Sequence, residues 1–100
     1  MIRHTTHSIE QCKGRGFDPE KVLVDVQRYQ GDIERSGAAE VIVVLHVARG
    51  RIVTSEGSGD CVAAFIDPRR QTIKTVAWQR WAQVERKSQV SEWVNPVRVK

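Results

Sequence analysis

Val41-Ile42-Val43-Val44-Leu45-His46-Val47 is the stretch that decides the fold class. It is β-branched and almost continuously apolar, the composition of a central strand covered on both faces. Upstream the hydrophobic period is different. Val22, Val26, Tyr29 and Ile33 follow helical spacing, and Leu23 widens their stripe. The period therefore changes from helical to extended between Ile33 and Val41. The helix has a clear start: Asp18 is a good N-cap, Pro19 suits the first helical position, and Glu20 favours the positive end of the helix dipole. An end near Gln30 is expected, followed by a polar connection through Ser36-Gly37.

Downstream, Ala48-Arg49-Gly50 reads as a turn and Arg51 to Glu56 as a second strand. Gly57-Ser58-Gly59-Asp60 reads as a flexible turn. Cys61 to Asp67 is a third strand, and Pro68 opens a tight turn with Arg69 and Arg70. Gln71 to Trp78 is a fourth strand, with Thr72, Lys74, Val76 and Trp78 on one face and Ile73, Thr75 and Ala77 on the other. Connections this short pair strands as an antiparallel meander. The expected fold is α+β: two N-terminal helices packed on a four-stranded antiparallel meander sheet. The parts are 1–37 helical, 38–78 sheet and 79–100 a C-terminal extension. Val43, Leu45, Val62, Ala64 and Ile66 are the expected core, with Val22 and Val26. In the extension, Gln79 to Gln89 reads as a helix using Trp81 and Val84, or as the fourth strand running on. Ser91 to Lys100 has the composition for an edge strand.

One hundred residues, 40% hydrophobic and 28% charged, make one globular domain. No apolar stretch is long enough to span a membrane, and Met1 to Thr5 carries no apolar segment of the signal-peptide kind. A cytoplasmic protein is expected. Cys12 and Cys61 are too few for a disulfide framework and read as small buried hydrophobes. No ligand spacing supports a metal site, and no cofactor is implied. The formal net charge of +4 is compatible with nucleic acid as a partner.

The chemistry-bearing stretch runs from Thr5 to Val22. Thr6 or Ser8 can cap a first helix, and Ile9 and Cys12 lie three apart on one face. Gly14 and Gly16 bracket Arg15, so the helix ends there. His7, Lys13 and Arg15 are held close to that turn. Thr-x-His, with eight residues from the histidine to Arg15-Gly16, followed by an acid-capped helix, resembles a family of short bacterial and phage domains. Those domains run His-Ala-x-x-Arg-Met-x-x-Arg-Gly-Ile-x-x-x-x-Val, with a Gly-Asp before a hydrophobic strand and a Thr-Val near the end of the last. His7, Arg15-Gly16, Val22, Gly59-Asp60 and Thr75-Val76 fit that order. Cys12 stands in place of the usual methionine, Gly14 stands where a helix former is usual, and nothing after Trp78 corresponds. The family is described as a domain of unknown function and is similar to the barnase, colicin and RelE-type ribonucleases, which are used as toxin modules. The resemblance implies a helix-then-curved-sheet fold and metal-independent RNA cleavage.

Such cleavage needs a base for the 2′-hydroxyl proton, an acid for the leaving oxygen and cations for the phosphorane. Histidine titrates nearest neutral pH, so His7 is the candidate base or acid. Arg15 and Lys13 can hold phosphate. On the fourth strand the resemblance favours Thr75 as an orienting group, whereas charge complementarity favours Lys74; Thr75 is chosen, with Arg80 supplying charge. Each has a plainer role as well. His7 can be a helix-start residue hydrogen-bonded to its neighbours, Arg15 can cap carbonyls of the first helix, and Thr75 and Lys74 can be ordinary strand residues. His46 suits the core, and His4 suits a frayed terminus. Trp78, Trp81 and Trp93 can stack on bases, but more often such residues close a small core or an oligomer interface. Two function classes follow: a ribonuclease-like or toxin-like domain acting on RNA, or a non-catalytic binding module, such as a phage or accessory protein, that grips a host protein or nucleic acid. RNA and a protein, either a host protein or an antitoxin, are the expected partners.

Overall fold

The computed structural model describes residues 1–35, 37–54, 57–80, 82 and 92–94; within 46–54, at 57 and 58, and within 92–94 it describes the backbone alone. The elements are β1 (Arg3–His4), α1 (Thr6–Gly14), α2 (Pro19–Gln27), α3 (Gln30–Arg35), β2 (Val41–Thr54), β3 (Gly57–Asp67), β4 (Thr72–Gln79) and β5 (Glu92–Val94). The fold is α+β. The sheet is mixed, with strand order β1-β4-β3-β2-β5 among the described residues.

The expected four-stranded meander is corrected in two ways. First, the meander has three strands. The first two predicted strands are one, because β2 runs through Ala48-Arg49-Gly50 without reversing. The break signalled by Gly50 is real but takes another form. Val47 pairs with Cys61 and Ile52 with Gly59, so the residues between Val47 and Ile52 stand opposite Asp60 alone. That is an extended bulge, and a glycine lets the chain make it. Gly57 to Asp60 is strand rather than turn, and pairing continues to Thr54 and Gly57. Secondly, the sheet is not purely antiparallel. β1 pairs parallel with β4, and β5 pairs parallel with β2. β5 falls in the segment expected to supply an edge strand. Of the segment read as an alternative helix over 79–89, Gln79 belongs to β4, and 81 and 83–89, Trp81 with them, lie outside the described residues.

The helical layer follows its sequence signals with one addition. Asp18 caps α2, its side chain accepting from Glu20 N–H at 3.0 Å, and Pro19 opens the helix. α2 ends at Gln27, and a third helix, α3, stands where a polar connection was expected. The apolar period explains it: Ile33 continues the Val22-Val26-Tyr29 stripe and is fully buried. Exposed polar groups brace the short helix, with Asp32 and Arg35 paired at 2.7 Å and Gln30 donating to Glu34 at 2.6 Å.

Two apolar clusters lie on the two faces of the sheet. One combines Ile2, Cys12, Val22, Val26 and Ile33 with Val41, Val43, Leu45, Val62, Ala64, Ile66, Ile73 and Val76. It contains every residue expected in the core. The other consists of Ile42, Val44, Cys61, Ala63 and Phe65. Cys12 and Cys61 are free thiols, both buried. Among the described residues no helix is long and apolar enough to cross a membrane.

The alternation predicted for β4 fails at one residue. Ile66 faces Ile73, but Phe65 faces Thr75, so Lys74 is an extra residue. This bulge shifts the parity of everything after it. Ile73 now shares the helix-side face with Val76 and Trp78, and Thr75 and Ala77 fall on the other.

Candidate functional site

The turn after α1 is built from its sequence. Thr5, not Thr6 or Ser8, is the N-cap. Its hydroxyl accepts from Ser8 N–H at 3.0 Å and Ser8 Oγ accepts from Thr5 N–H at 2.9 Å, a reciprocal capping box. At the other end, Phe17 N–H reaches the Cys12 carbonyl at 2.8 Å and Gly16 N–H the Lys13 carbonyl at 3.4 Å. Gly16 has φ +79°, the left-handed residue that this termination requires. Gly14 is the last residue of α1 itself.

On α1, His7, Gln11 and Gly14 recur at helical spacing, with Glu10 beside them. Together with Arg15 they line a shallow groove of about 220 Å³. His7 and Glu10 are exposed, and Gln11 and Arg15 are half-buried. Arg15 is the C-cap of α1, its backbone N–H donating to the Gln11 carbonyl at 3.0 Å, but its side chain does not cap the helix. Its Nη1 donates to the Val76 carbonyl of β4 at 2.6 Å, and Val76 N–H donates to Gln11 Oε1 at 3.3 Å. The guanidinium is thus anchored to the sheet while forming part of the groove wall.

The remaining predicted site residues lie elsewhere. Thr75 is half-buried opposite Phe65, on the sheet face turned away from the helices. The Lys74 bulge puts it there, so Thr75 does not share a cleft with His7. Lys74 is exposed and its Nζ meets Glu40 Oε2 at 2.6 Å. Lys13 and Arg80 are exposed, Arg80 just beyond the end of β4. The structure therefore brings together His7 and Arg15, and adds Glu10 and Gln11. Glu10 and Gln11 were not among the expected site residues; their helical spacing from His7, three and four residues on, is the signal that could have found them.

His4 is not frayed. It pairs in β1 with Ile73, its Nδ1 lies 2.8 Å from Ser8 Oγ and its Nε2 2.7 Å from the Pro19 carbonyl. A carbonyl only accepts, so Nε2 carries a proton and donates. The ring ties β1 to the first turns of both α1 and α2. Trp78 is half-buried against the main core and tilted on Phe17, ring centroids 5.9 Å apart. It closes the core beside the end of α1. Among the described residues no group of three or more His, Cys, Asp or Glu is placed to hold a metal ion.

Comparison of the chain with protein-family models, curated proteins and solved structures finds no match.

Proposed function

We propose that this domain binds RNA in the α1 groove and cleaves it without a metal, as a ribonuclease-like or toxin-like domain. The observation that carries the reading is the juxtaposition of an exposed imidazole, His7, with a guanidinium, Arg15, whose position is fixed by the Val76 carbonyl. A phosphodiester held on Arg15 would lie beside an imidazole, the side chain most often used as general acid or base. Glu10 adds a carboxylate to the same groove. The motif residues His7, Arg15-Gly16 and Val22 support the same class by resemblance. The expected setting is the cytoplasm, and an antitoxin or host protein is the expected macromolecular partner.

The test is cleavage of total RNA by the purified protein, with and without chelator. His7→Ala is expected to abolish turnover and leave RNA binding nearly intact, because an acid or base acts on the transition state more than on the bound ground state. Arg15→Ala is expected to weaken both. Absence of cleavage by the wild type, or His7→Ala cleaving as fast, ends the catalytic reading. One observation favours a second reading, a module that grips RNA or a protein without turnover. Thr75 and Lys74 stand away from the groove, which leaves Arg15 the one Lys or Arg lining it among the described residues. Salt-sensitive RNA binding without cleavage is the outcome that selects it.

A further inference from the structure

The outer edge of β4 begins as strand pairing and continues as side chains. Arg3 N–H donates to the Gln71 carbonyl at 3.0 Å, and Arg3 and His4 pair with Thr72 and Ile73. Strand β1 stops there because Thr5 turns the chain into α1. The row of bonds goes on without it. Thr5 Oγ1 donates to the Ile73 carbonyl at 3.2 Å, Gln11 Oε1 accepts from Val76 N–H, and Arg15 Nη1 donates to the Val76 carbonyl. Both polar groups of Val76 thus point away from β3, as they do in the non-hydrogen-bonded pairs of an antiparallel ladder.

An edge that presents outward N–H and C=O groups in strand geometry is a template for pairing with another chain. Lysine often guards such edges by its charge, but Lys74 at the bulge is bonded to Glu40. We propose that α1 itself is the guard: Gln11 and Arg15 hold closed a strand-pairing surface whose partner, once it is open, is the β4 edge of a second copy. The self-complementarity lies at Val76. In an antiparallel arrangement about a two-fold axis, Val76 of each copy faces Val76 of the other and exchanges both hydrogen bonds, which makes a closed isologous pair. The two side chains of α1 occupy the same acceptor and donor sites.

The experiment is sedimentation velocity over a concentration series, with amide exchange at Val76. Three proteins are compared: wild type, the pair Gln11→Ala with Arg15→Ala, and the pair Gln11→Glu with Arg15→Lys. The last keeps an acceptor for the Val76 N–H and a donor for its carbonyl. The alanine pair is expected to self-associate about tenfold or more tightly than wild type, the factor for roughly one net hydrogen bond. Its Val76 amide is expected to exchange fast when dilute and to regain protection when concentrated. The conservative pair is expected to follow wild type. An alanine pair that is folded by circular dichroism yet associates no more than wild type overturns the proposal, as does association that leaves Val76 exchange unchanged. If the alanine pair does not fold, each single alanine variant is judged by the same criterion.

Discussion

Gly59→Ala tests how closely β3 and β4 meet. A Cβ built on Gly59 overlaps the Gln79 carbonyl oxygen and stands 2.7 Å from the carbonyl carbon and the nitrogen of Gln79. Unstrained contacts of this kind begin near about 3.5 Å, so the two strands would have to part by roughly 1 Å. The obstacle is backbone and cannot rotate aside. Strain in φ contributes nothing, because the positive-φ residues are Gly16 and Gln71 among those described. Parting the strands also loosens the Cys61–Gln79 pairing and the contact from Cys61 Sγ to the Gln79 carbonyl at 3.4 Å. Overpacking of this sort costs about 1–3 kcal/mol, and the lower half of that range applies because Gln79 ends β4 and can splay. A loss of about 1–2 kcal/mol is expected, read as a fall of roughly 1 M in the urea midpoint at unchanged m-value. Gly14→Ala is the matched control. Its Cβ meets nothing within 4 Å, and the substitution sits in the last turn of α1, so a gain of up to about 0.5–1 kcal/mol is expected. A Gly59→Ala protein within about 0.5 kcal/mol of wild type would refute the close approach of β3 and β4.

Leu45→Ala removes a large side chain from the main cluster and should cost roughly 2–5 kcal/mol by chemical denaturation; a loss no greater than a surface substitution would misplace β2. Burial, with Asp60 beside it, pushes the Cys61 thiol up to about 11 from 9.0. The unfolded chain releases this proton first, so stability is full below about pH 9 and falls as pH rises from about 9 to 11. Cys61→Ala should make that fall shallower, and an unchanged slope would show that the thiol carries none of it. His7→Ala should abolish RNA turnover at unchanged thermal stability, since the ring is exposed; a matching loss of stability would make His7 structural instead.

The core, the turn after α1 and the start of α2 were legible because they depend on neighbours in sequence. The every-second-residue spacing of Val43 and Leu45 and of Val62, Ala64 and Ile66, and the period of Val22, Val26 and Ile33, assign residues to faces with no knowledge of what lies opposite. Asp18-Pro19 and Gly16 act within one turn of helix, so their geometry follows from residue type. His7 and Arg15 could be paired for the same reason, being joined by a helix and its termination.

What only the tertiary structure decided involves partners distant in sequence. The bulge at Lys74 depends on how β4 registers against β3, and a one-residue shift moves Thr75 to the other face of the sheet. The parallel edges need strands from the two ends of the chain, whose pairing no local pattern encodes. His4 looked like a loose end until the Pro19 carbonyl and Ser8 hydroxyl closed around its ring. Arg15 was read as a phosphate ligand or a helix cap. Its partner is a strand carbonyl 61 residues away, and a side chain able to donate to many acceptors is assigned one only when the fold brings it near.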